Sequence, residues 1–157
     1  MIVNGSMVEM DDGRWLAVES LEVGARVRTY PCGTAARIAK TGRRRMSKLR
    51  NAEMSEHWPY EVFPDVSEDS RIFAGHSLSP TRVSPKTRIM LGERSTTGRV
   101  MLNECTAASL ETRGKSLLCH DLETFSYHFI MLEGVSTFLN VGHVLVGSDA
   151  WGAVAML

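Results

Sequence analysis

The chain lacks most of the features that mark specialised classes. Its 157 residues include three cysteines, Cys32, Cys105 and Cys119, an odd and scattered set without a Cys-x-x-Cys pair. That argues against a disulfide framework and suits a reducing compartment. There is no net charge, because eighteen basic residues cancel eighteen acidic ones. A neutral chain has no general electrostatic reason to bind nucleic acid or an anionic membrane, so neither partner is expected. Nowhere do eighteen apolar residues follow one another, and the start, Met1-Ile2-Val3-Asn4-Gly5-Ser6, has neither a basic region nor a long apolar run. No targeting or membrane-spanning segment is expected from this, and no compartment is assigned.

What is present is ordinary hydrophobic content, 43 %, in a length that fits one globular domain over residues 1–157. Within it two stretches resemble one another. Leu16-Ala17-Val18-Glu19-Ser20-Leu21-Glu22-Val23-Gly24-Ala25-Arg26-Val27 and Asn103-Glu104-Cys105-Thr106-Ala107-Ala108-Ser109-Leu110-Glu111-Thr112-Arg113-Gly114-Lys115-Ser116-Leu117 both carry Ser-Leu-Glu, then a glycine at a sharp turn, then a β-prone restart. Copies about ninety residues apart are too few for a solenoid and point to one domain built from two related halves.

The remaining periodicity is that of strands. Ala25–Tyr30 alternates and pairs with Arg37–Lys40 through a Cys32-Gly33-Thr34 turn; Arg88–Leu91 and Arg99–Leu102 flank Gly92–Gly98 as a hairpin. Ser126–Leu132 and Thr137-Phe138-Leu139 flank Glu133-Gly134-Val135-Ser136, and Gly142–Gly147 is a glycine-bounded strand. Many short strands with glycine turns indicate an all-β domain. One region breaks the rhythm. Residues 41–70 hold Arg43-Arg44-Arg45, Lys48 and Arg50 and then Glu53, Glu56, Glu61, Asp65, Glu68 and Asp69, which reads as an exposed excursion with a short helix at Met46–Glu56, held down by Trp58-Pro59-Tyr60. The arginines offer a phosphate-binding patch, but cations pairing with the acidic residues that follow are the favoured reading.

Gly5-Ser6-Met7-Val8-Glu9-Met10-Asp11-Asp12-Gly13 followed by Val18-Glu19-Ser20-Leu21-Glu22-Val23-Gly24-Ala25-Arg26-Val27 resembles the opening of Hint domains, the fold shared by the hedgehog autoprocessing domain and the inteins. Val83-Ser84-Pro85-Lys86-Thr87-Arg88 looks like the family's Ser-Pro-x-His-Arg segment, especially in its bacterial branch. Ser126–Gly134, Ser136–Phe138 and Val144–Val146 resemble its closing strands, so the likeness runs from residue 1 to about 148. The resemblance implies a compact all-β fold with pseudo-twofold related halves, no cofactor, and an upstream polypeptide as partner.

In active members the thiol or hydroxyl of the first residue attacks the amide before it, a Thr and a His polarise that amide, and the His protonates the departing nitrogen. The resemblance places the nucleophile at Met1, the hydroxyl at Ser84 and the histidine at Thr87, with His128 as the best remaining titratable group. A thioether cannot form an acyl intermediate, and Thr87 is no proton donor near neutral pH. Ala25 stands where the family has aspartate, Gly147-Ser148-Asp149 stands where inteins end in His-Asn, and a chain starting at Met1 offers no upstream peptide. Trimming of a longer protein would explain Met1 but not Thr87, so a degenerate member is favoured. Ser6 lacks a positioned base, and Cys105, Cys119, His120, His128 and His143 lack the spacing of a zinc site.

The expectation is therefore an all-β Hint-like autoprocessing domain, of the self-cleavage or splicing type, inactive as written. The alternative is a non-catalytic module that binds a protein ligand through strand edges and Trp15, Trp58 and Trp151. The oligomeric state stays open.

Overall fold

The computed structural model describes residues 1–64, 80–94, 96–134 and 137–149. Among these residues thirteen strands join in one curled antiparallel sheet. They are β1 (Ile2–Val3), β2 (Met7–Glu9), β3 (Trp15–Ala17), β4 (Arg26–Tyr30), β5 (Ala35–Ser47), β6 (Tyr60–Val62), β7 (Thr81–Val83), β8 (Arg88–Arg94), β9 (Val100–Thr106), β10 (Ser116–Leu118), β11 (Thr124–Leu132), β12 (Phe138–Val141) and β13 (Val144–Gly147). The main path runs β10-β6-β7-β1-β11-β5-β4-β12-β13-β8-β9, with β2 attached to β12 and β3 to β2.

Alternation places the core. Val27 and Thr29 of β4 are buried while their neighbours are not, and Gly33, at φ +70°, makes the turn into β5. From Tyr127 to Leu132, β11 is buried on both faces, which explains its continuous apolar run. One face joins the large cluster around Ile2, Val83, Ile130 and Leu139; the other joins Val3, Met46, Trp58, Phe125 and Tyr127.

The duplicated segments occupy equivalent places. β1 lies antiparallel to β7 with Ile2 opposite Val83, and the offset between those two residues equals the offset from Ser6 to Thr87. The Ser6 carbonyl accepts the Val18 N–H at 2.9 Å, and the Thr87 carbonyl accepts the Ala107 N–H at 3.0 Å. Each contact starts a 3-10 segment, three residues long at Val18–Ser20 and six at Ala108–Arg113, where Leu21 N–H reaches the Val18 carbonyl and Leu110 N–H the Ala107 carbonyl, both at 3.3 Å. Leu21 and Leu110 enter the same core, and Gly24 (φ +90°) and Gly114 (φ +68°) turn the chain afterwards. The halves are thus related by an approximate twofold between Ile2 and Val83.

The segment after residue 40 differs from the sequence reading. Thr41–Ser47 is the second half of β5, paired residue by residue with β11 from Ile130 to Thr124. It carries little apolar alternation because Met46 is its one deeply buried side chain and the ladder to β11 holds the rest. Arg43 and Arg45 project into solvent and pair with none of the described acids Glu53, Glu56 and Glu61, while Asp65, Glu68 and Asp69 lie outside the described residues. The helical part is a 3-10 helix at Ala52–His57 rather than Met46–Glu56. Residues 65–70 of the expected excursion, and Val135 and Ser136 of the expected turn, lie outside the described residues.

Candidate functional site

The sheet brings residue 1 against the turn that follows β7. Ser84-Pro85-Lys86-Thr87 closes on itself, with the Thr87 N–H donating to the Ser84 carbonyl at 3.0 Å, and proline's fixed φ suits its second position. This turn presents both hydroxyls to Met1. The Met1 nitrogen donates to Ser84 Oγ (3.3 Å), Thr87 Oγ1 (3.2 Å) and Asp149 Oδ1 (3.1 Å). The Met1 carbonyl accepts from the Ser84 N–H (3.0 Å) and from Thr87 Oγ1 (3.3 Å). Ser84 Oγ and Thr87 Oγ1 lie 2.7 Å apart, and since Thr87 gives its hydrogen to the carbonyl, Ser84 is the donor between them. Ser84 and Thr87 are buried, at 9 % and 6 % exposure.

Asp149 is the member that sequence reasoning missed. Its Oδ1 faces the Met1 nitrogen and its Oδ2 accepts the Ile130 N–H at 2.9 Å, while its own N–H donates to the Ile130 carbonyl at 2.9 Å. In the sequence it stands only within Gly147-Ser148-Asp149, set against the His-Asn end of inteins, with no role attached to it.

His128 is not brought into this group. It lies opposite Ile2 and Arg43 in the ladders, so its side chain shares their face, whereas Met1 packs with the Val3 and Tyr127 cluster on the other. The ring is buried and makes no hydrogen bond with a described residue. Burial pushes its pKa below the usual 6.5, nearby Glu19 pulls it upward, and Arg43 lowers it further. Ser6, the counterpart of Thr87, is 1 % exposed; its hydroxyl accepts the Arg82 N–H at 3.3 Å and faces the Pro80 carbonyl at 3.5 Å, with no base beside it among the described residues.

The tryptophan surface is also corrected. Trp58 is 4 % exposed, donates its indole N–H to the Leu122 carbonyl at 3.1 Å and meets Phe125 edge to face. Trp15 stands edge-on to His143 at 5.0 Å, and Trp151 lies outside the described residues.

No family model matches the chain, and no curated protein does. Solved structures do. The crystal structure of the MchDnaB-1 intein superposes with a TM-score of 0.54 at 9 % identity, covering 95 % of this chain and all of that one. A variant form of the same intein gives 0.54 at 10 % identity, covering 96 % and 100 %. At such identities the likeness is one of fold. The continuous antiparallel sheet, its approximate twofold and these superpositions together give the chain a Hint-like, intein-type all-β fold.

Proposed function

We propose that this chain is a self-cleaving or splicing-type Hint domain that has lost its reaction. The observation that carries the reading is the ring of acceptors around the residue 1 nitrogen, Ser84 Oγ, Thr87 Oγ1 and Asp149 Oδ1, with no imidazole or thiol joining them among the described residues. A peptide bond entering residue 1 from an upstream polypeptide would have its nitrogen at this ring. Hydroxyls and a carboxylate can orient such an amide, and none of them donates a proton to a departing nitrogen near pH 7. The Met1 thioether has no proton to lose and forms no acyl intermediate. His128, the residual acid-base candidate, faces the other side of the sheet, where burial disfavours its protonated form.

The test fuses an upstream peptide to Met1 and incubates the protein with added thiol or hydroxylamine at neutral pH. Mass spectrometry should find the fusion intact. Release of the peptide at Met1 would overturn the proposal. Protein binding is the second reading, favoured by the exposed Met101 and Leu102 on a strand at the edge of the sheet.

A further inference from the structure

We propose that the outer edge of β9 docks a second copy of this chain, antiparallel, with Leu102 facing Leu102 of the copy. β9 ends the sheet path, and among the described residues nothing pairs with its outer side. It is seven residues long, and it exposes Met101 (57 %) and Leu102 (50 %). Long apolar edges with open backbone groups are templates for strand pairing.

The phase of the ladder shows which groups are open. In an antiparallel pair, residues alternate between those bonded to the neighbour and those whose N–H and C=O point away. The Ala107 N–H bonds to the Thr87 carbonyl, and the β8–β9 register continues from that pair without a shift. Odd-numbered residues of β9 therefore bond to β8, and even-numbered ones turn outward. Thr106 fits this phase: its outward N–H donates to Ser109 Oγ at 3.2 Å and its outward carbonyl accepts from Ser109 Oγ at 2.7 Å, which closes that end of the edge. Val100, Leu102 and Glu104 remain with outward backbone groups.

These three specify their own partner. Antiparallel copies centred on Leu102 pair it with itself and pair Val100 with Glu104 of the second copy twice over, so every outward group bonds. Moving the register by two residues pairs only Val100 with Leu102, or only Leu102 with Glu104. A move by one residue puts facing side chains on opposite faces. Gly92 lies opposite Leu102 on β8, so no side chain there shields it. The Glu104 carboxylate is already engaged by Arg88 at 3.5 Å and does not meet another Glu104 in this register. Pairing confined to one strand buries little area, so the association is weak and depends on concentration.

Sedimentation equilibrium of the full chain tests this. The mass should climb from 17.4 kDa toward twice that value as concentration rises from about 10 μM to about 1 mM. Leu102→Lys, which places like charges at the twofold, should weaken association about tenfold or more, with circular dichroism and melting midpoint kept because Leu102 is half exposed. With the native cysteines replaced by serine, Met101→Cys mixed with Asn103→Cys should form disulfides between unlike chains faster than either variant alone, since these positions oppose one another at about 4.5 Å between Cα atoms. A mass fixed at 17.4 kDa throughout, dimers indifferent to Leu102→Lys, or equal cross-linking of like and unlike chains would overturn the proposal.

Discussion

Gly42 is the position where the sheet is least able to accept a side chain. It sits opposite Phe129 in the β5–β11 ladder, and the Phe129 ring, 4 % exposed, lies across it. A Cβ at residue 42 would overlap ring atoms Cε1 and Cζ and stand 2.9 Å from Cδ1. Even the last of these is about 0.6 Å inside the ~3.5 Å optimum for carbon contacts. Gly42→Ala must therefore rotate a buried ring or shift the β5–β11 ladder, at a cost of about 1–3 kcal/mol for overpacking. At roughly 3 °C per kcal/mol for a chain of this size, the melting midpoint should fall by about 3–9 °C. Phe129→Leu withdraws the obstructing atoms. In the double variant the Gly42→Ala penalty should shrink by about 1 kcal/mol or more, read as a coupling energy from urea unfolding. A Gly42→Ala protein within about 0.5 kcal/mol of the parent, or strict additivity in the cycle, would refute the packing argument.

Two further predictions concern titration and the residue 1 ring. Because burial lowers the His128 pKa, the unfolded chain takes up a proton below about pH 6.5 that the folded chain refuses, so stability falls as pH drops from 6.5 toward the folded-state value. His128→Asn should flatten that part of the profile of urea midpoints, and an unchanged slope would contradict the burial. Asp149→Asn keeps an acceptor for the Ile130 N–H but removes the charge facing the Met1 nitrogen, and should cost about 1–2 kcal/mol. Faster amide exchange at Ser84, whose N–H bonds to the Met1 carbonyl, should accompany it, and unaltered exchange would show that Asp149 does not secure residue 1.

The hairpins were legible because glycine turns and period-two alternation are local signals: Gly33 between β4 and β5, and the 92–98 stretch, which the structure shortens as β8 extends into it to Arg94 while β9 starts at Val100. The twofold was legible for a similar reason, since Leu21 and Leu110 do the same work in each half. The second half of β5 was hidden because its stability comes from backbone bonds to a strand about eighty residues later, with Met46 alone showing an apolar anchor. The side on which His128 faces depends on its register with Ile2, which no local pattern encodes. The role of Asp149 was hidden for the same reason, as its partner is 148 positions away.

The most direct measurement installs the two groups whose loss is proposed. A chain carrying Met1→Cys and Thr87→His, fused to an upstream peptide and shown to be folded by circular dichroism, is incubated with and without thiol and followed by mass spectrometry. The account predicts release of the upstream peptide at residue 1, accelerated by thiol and slower with Met1→Cys alone. A folded double variant that stays intact would contradict the placing of residue 1 and Thr87 in an autoprocessing site.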